Sequence, residues 1–181
     1  KIVRSIAKAS GVDPDSIKFV ELGNSDTLSS LQGDIDFMWV FEAAEVTELK
    51  KEGVEYNYLP VADYGEEFDY YTPVIIANTD VAEENPGMVS SFIQATKKGY
   101  EYAISDPDAA ADILCEEVPE LDKELVKESQ EWLADQYKAE VDQWGYIDQE
   151  RWDSFFTWLS DNGLSEEIPA GYGFTNEYLP E

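Results

Sequence analysis

Two short stretches of this chain hold residues whose types could line a site. The first contains Trp39, Phe41, Glu42 and Glu45; the second is Asp69 followed by Tyr70 and Tyr71. Ligands of an open α/β sheet bind just beyond the carboxyl ends of its strands, so Trp39, Phe41, Glu42 and Glu45 would stand at the mouth of a site if residues 37–41 are such a strand. Each residue also has a plainer use. Trp39 and Phe41 could be core aromatics. Glu42 could be a first-turn carboxylate favoured by a helix dipole. Glu45 could lie on a solvated helix face, and the tyrosines could pack a hinge. Neighbouring strand residues point to opposite faces, so only one of Tyr70 and Tyr71 is expected to face a ligand. Glu42 with Asp69 also fits a glycosidase-like carboxylate pair, although 40 acidic residues make chance pairs common.

Composition removes other chemistries. The chain has no histidine, which excludes Ser-His-Asp and Cys-His machinery and histidine-based zinc sites. Cys115 is the single cysteine, set among Ile113, Leu114 and Val118, and reads as a buried structural thiol. Asp13-Pro14-Asp15 is turn chemistry without the calcium-loop pattern. No catalytic residue, metal ligand set or cofactor is assigned. With 12 basic residues against 40 acidic and a formal charge of −28, neither nucleic acid nor an anionic membrane is an expected partner. The acidity reads as a solvated shell.

The elements that must position these residues alternate at first. Residues 2–10 read as an amphipathic helix stopped by Gly11, and 17–22 as a strand. Asn24 or Ser25 caps a helix to Gln32, with Leu28 and Leu31 inward. Residues 37–41 are short, aromatic and β-branched, hence a strand. A helix follows from Glu42 to Glu52, stopped by Gly53, then a strand over 54–59. This α-β-α-β-α-β order predicts an α/β fold with a parallel, helix-covered sheet. Residues 60–71 break the rhythm as an acidic loop, and 72–77 form one further strand. Helices then begin at Pro86, Pro107, Asp122 and Asp148. Trp132, Trp144, Trp152 and Trp158 read as packing anchors, and 174–177 as a docking tail. The chain opens inside a helical pattern, without a signal peptide, and is expected to be a fragment.

Several stretches carry a resemblance: Gly33-Asp34-Ile35-Asp36 with Trp39 and Phe41-Glu42; Tyr70-Tyr71-Thr72-Pro73-Val74-Ile75-Ile76; Glu84-Asn85-Pro86 and Ala95 to Ile104; Asp106-Pro107; Ser129-Gln130; Trp144-Gly145; Trp152; and Phe174 to Pro180. In this order they resemble the solute-binding proteins of ABC transporters that capture pyrimidine precursors of thiamine, related in fold to fungal thiamine-pyrimidine synthases.

The resemblance implies a periplasmic-binding-protein type II-like fold with a ligand held between two lobes. Residues 1–71 would be a partial second lobe lacking its first strand. Residues 72–181 would be a return strand and helices covering the first lobe. It implies a small heterocyclic ligand, no catalysis, an ABC permease as partner and an extracytoplasmic or lipid-anchored location, with the signal segment outside this chain. A fragment of such a protein is expected to expose apolar helix faces and self-associate. Trp39, Phe41, Glu42, Glu45, Tyr70 and Tyr71 would line the ligand. Relatives bind other heterocycles, sulfonates or flavin precursors. Ala44 stands where many relatives carry tryptophan, which weakens the pyrimidine assignment. A synthase like the fungal relatives would need a cysteine cluster and histidine that this composition lacks.

Overall fold

Short polar side chains set four of the helix starts. The computed structural model describes residues 1–21, 23, 27–139 and 141–180. Its α-helices are α1 (Ile2–Ala9), α2 (Thr27–Leu31), α3 (Thr47–Lys51), α4 (Thr79–Glu84), α5 (Pro86–Ser105), α6 (Pro107–Glu117), α7 (Lys123–Gln136) and α8 (Gln149–Asp161). Asp106, Asp122 and Asp148 each accept a hydrogen bond from the backbone N–H three residues on, at 3.1, 3.0 and 2.9 Å, and so start α6, α7 and α8. Asn78 does the same for α4. Proline leads α5 and α6, where no N–H is required. Gly163 closes α8 with φ +65°, a left-handed conformation that costs glycine nothing. The expected capping residues Asn24 and Ser25 lie outside the described residues. Within α2 it is Thr27 and Ser30 that are buried, while Leu28 and Leu31 are half-buried.

The chain divides into two units. One comprises Lys1–Glu21, Asn57–Pro86 and Tyr146–Leu179. Its centre is α8, where Phe68 is buried edge-on to Trp158 at 5.1 Å. The C-terminal segment is tied back to the same helix region. The Asn176 side chain brackets Ile147, donating to its carbonyl and accepting from its N–H at 2.9 Å each. Gly171 N–H donates to Asp153 Oδ1 at 2.8 Å, and Trp152 Nε1 donates to the Tyr172 carbonyl at 3.0 Å.

The other unit comprises Leu22–Tyr56, Gly87–Gly145 and Pro180–Glu181. Here α6 packs along α7, and α7 also meets α3. Ala111, Val46 and Leu49 are buried. Trp144 is buried against Tyr100 at 4.8 Å, and Tyr100 meets Tyr137 edge-on at the same distance. Desolvation raises the Tyr137 hydroxyl above its ordinary pKa, opposed by its hydrogen bond to Gln130. Lys51 joins the capping carboxylate of Asp122 at 2.9 Å. Among the described residues no helix is long and apolar enough to cross a membrane.

The expected α/β sheet is absent among the described residues, which form helices and turns but no strand. The type II-like α/β lobe is therefore corrected to a helix-rich arrangement. Residues 17–21, 37–41, 54–59 and 72–77 lack regular structure, although Ile17 and Phe41 keep extended backbone angles. The physical reason is that β-branched and aromatic content reports a local preference, whereas a strand exists only with a paired neighbour. Without that pairing their side chains meet solvent: Ile76 is 88% exposed and Leu59 60%.

Candidate functional site

Tyr70 and Tyr71 lead directly into the better-formed of the two candidate regions. They follow the single turn Glu66–Phe68, which is anchored by buried Phe68. With Val74 and three residues of α8, Trp152, Phe155 and Phe156, they line an apolar cavity of about 160 Å³. The α8 residues fall at i, i+3 and i+4, so one face of the helix supplies all three. Tyr70 stacks on Phe155 with centroids 4.4 Å apart and planes at 28°. Both tyrosines reach the same cavity. The expectation that only one could do so assumed a strand, and residues 70–71 are not one.

A polar clamp holds Tyr71. Its hydroxyl accepts from the Asp148 N–H at 2.9 Å. The Arg151 guanidinium lies over its ring, 4.3 Å from the centroid. Arg151 also donates to the Asp69 carbonyl and to Asp69 Oδ1, both at 2.7 Å. The Asp69 carboxylate is thus already paired with a cation. The lining of this cavity is mostly aromatic, which suits it to ring stacking.

The second region lies in the other unit. Trp39 is 46% exposed and Phe41 62%, so neither ring is a core residue here. Phe41 precedes a π-helical turn over Glu42–Val46 that continues into α3. Such turns are rare and often found at functional sites. The wider turn is held at both ends. Glu45 Oε2 accepts from the Phe41 N–H at 2.8 Å, and the Thr47 hydroxyl donates to the Glu42 carbonyl at 2.9 Å. Glu45 therefore caps its own helix. The Glu42 carboxylate is largely covered and sits 3.4 Å from Lys50 Nζ. Trp39, Phe41, Glu42 and Glu45 thus share one unit, while Tyr70 and Tyr71 belong to the other.

The cavity residues that sequence reasoning did not assign to a site are Val74, Trp152, Phe155 and Phe156. The signal was present as aromatic density on one face of α8, but helical spacing alone does not separate a packing face from a cavity wall.

The chain as a whole is similar to known proteins. A family model described as NMT1/THI5 like matches residues 1–110. The formylaminopyrimidine-binding protein of Halalkalibacterium halodurans is 26% identical over 181 residues, covering 97% of this chain and 54% of the relative. The riboflavin-binding protein RibY of Chloroflexus aurantiacus is 24% identical over 180 residues, covering 95% of this chain and 50% of the relative. The 4-amino-5-hydroxymethyl-2-methylpyrimidine phosphate synthase of Legionella pneumophila is 27% identical over 124 residues, 67% of this chain and 39% of the relative. The chain spans about half the length of the first two relatives.

Proposed function

This chain belongs to the NMT1/THI5-like family, and from that premise we propose that it is part of a non-catalytic binding protein for a flat nitrogen heterocycle. The foremost candidate ligand is a hydroxymethyl- or formylamino-pyrimidine precursor of thiamine. The binding protein would deliver it to an ABC permease from outside the cytoplasmic membrane. The observation that carries this reading is similarity along nearly the whole chain to two relatives named as binding proteins for ring compounds. The aromatic cavity of Tyr70, Tyr71 and α8 is consistent with it. Trp39, Phe41 and Glu42 form a second ring-binding surface in the same reading, with Glu42 as hydrogen-bond acceptor.

The synthase named among the relatives favours a second reading, in which the chain helps to make a pyrimidine. Against it, these 181 residues hold no histidine and the single Cys115, whereas the resemblance implies a cysteine cluster and a histidine for such a synthase.

Thermal unfolding in the presence of candidate ligands tests the proposal. A ligand with a Kd near 0.1 mM, present at 1 mM, stabilises the native state by about 1.4 kcal/mol. That corresponds to a rise in Tm of about 3–5 °C for a chain of this size. Formylaminopyrimidine or hydroxymethylpyrimidine is expected to produce that rise, with no change in the ligand itself. Consumption of the pyrimidine during incubation would favour the enzyme. No shift with either pyrimidine or with riboflavin would overturn the binding function.

A further inference from the structure

Resting on that binding function, we propose that α8 sets the ligand size: Phe155, stacked on Tyr70, limits the aromatic cavity to one six-membered ring and excludes fused tricyclic rings such as a flavin. Three observations support this. The cavity of about 160 Å³ is well below the roughly 300–1,000 Å³ typical of pockets for drug-sized ligands. Its walls are aromatic or aliphatic, so a ring face is favoured there and an isolated charge is not. The walls are also braced. Phe155 contacts Phe156 edge-on at 5.7 Å and stacks at 6.1 Å on Trp158, which itself packs on buried Phe68. Tyr71 is fixed by Arg151 and the Asp148 N–H. A larger ring would have to displace Phe155 from both neighbours or pull Tyr71 from its clamp.

The occupant is thus a single planar heterocycle whose apolar face stacks on Tyr70 or Phe155. This assigns to Trp152, Phe155 and Phe156 a role in selecting between the two ring sizes bound by the named relatives.

Calorimetric titration of the 181-residue chain with hydroxymethylpyrimidine and with riboflavin provides the test, alongside two variants. The wild-type chain should bind the pyrimidine with a Kd on the order of 0.1 mM and riboflavin at least tenfold more weakly. Phe155→Ala should weaken the pyrimidine about three- to tenfold, through the lost stack, and strengthen riboflavin about tenfold. Val74→Trp fills the cavity from an exposed position, Val74 being 45% exposed. It should abolish pyrimidine binding without lowering Tm, and so remains decisive if Phe155→Ala fails to fold. Equal affinity for both ligands, or pyrimidine binding unchanged in Val74→Trp, would overturn the size filter while sparing the binding function. No binding of either compound at 1 mM would overturn both.

Discussion

Replacing Arg151 with methionine is the perturbation that most directly probes how the aromatic cavity is held. The side chain makes two kinds of contact at once. It grips Asp69 through its carbonyl and its carboxylate, both at 2.7 Å, and it covers the Tyr71 ring at 4.3 Å. The ion pair is partly solvated, with the Arg151 side chain 38% exposed and that of Asp69 57%, so it contributes only about 0.2–1 kcal/mol. The cation–ring contact adds about 0.5–1 kcal/mol. The hydrogen bond to the Asp69 carbonyl adds roughly 0.5–1 kcal/mol, because a freed carbonyl can turn to water. Arg151→Met should therefore cost about 2 kcal/mol, or about 4–8 °C in Tm. Urea unfolding of the single and double variants separates the parts. Coupling of Arg151→Met with Asp69→Asn should be about 0.5 kcal/mol, reduced by added salt. Coupling with Tyr71→Leu should be about 0.5–1 kcal/mol and insensitive to salt. Arg151→Lys keeps the charge but not the planar fork, and should recover less than half of the loss. A cost below 0.5 kcal/mol for Arg151→Met, or no coupling to either partner, would refute the clamp.

Three further predictions concern contacts within the other unit. Trp144→Ala should cost about 3–5 kcal/mol, because a buried ring packed on Tyr100 is removed, and urea unfolding that shifted by less than 1 kcal/mol would contradict that packing. Asp106→Ala removes the cap of α6 and should cost about 1 kcal/mol, read as lost amide protection in the first turn. For pH, the Leu125 N–H and Lys51 hold Asp122 below its ordinary pKa of 3.8, and Lys123 and Lys127 do the same for Asp112. Their contribution is present above that value and lost as pH falls through the lower folded value. Lys51 and Lys127 are raised above 10.5, chiefly by Asp122 and Asp108, so theirs is lost only as pH climbs beyond that. These pairs predict a flat stability profile between the two limits, measurable by urea midpoints across pH; a steep loss near neutrality would contradict it.

The parts of the fold legible in the sequence are those governed by chemistry within one turn of chain. Asp106, Asp122 and Asp148 each satisfy an N–H three residues away, so their helix starts are written locally. Pro86, Gly53 and Gly163 mark boundaries through the dihedral angles they allow or favour. The absence of strand pairing is not legible, because Phe37 to Phe41 and Val74 to Ala77 reveal only what they prefer, and pairing depends on residues far along the chain. The cavity was half legible. Tyr70 and Tyr71 were marked by type, but their partners on α8 are about eighty positions on and look like any packed helical face. Glu45 was readable as a helix carboxylate; that it would close a π-helical turn onto Phe41 was not.

Trp152 supplies the most direct measurement of heterocycle binding by this chain. Its indole N–H donates to the Tyr172 carbonyl while its ring lines the cavity. In a two-dimensional nitrogen–proton spectrum, with the signal assigned by Trp152→Phe, titration with hydroxymethylpyrimidine should move that resonance saturably, at a Kd on the order of 0.1 mM. The Trp144 signal, from the aromatic core of the other unit, should stay in place. A Trp152 resonance unmoved at 1 mM pyrimidine, whether the other indoles shift or not, would contradict the assignment of this cavity as the ring-binding site.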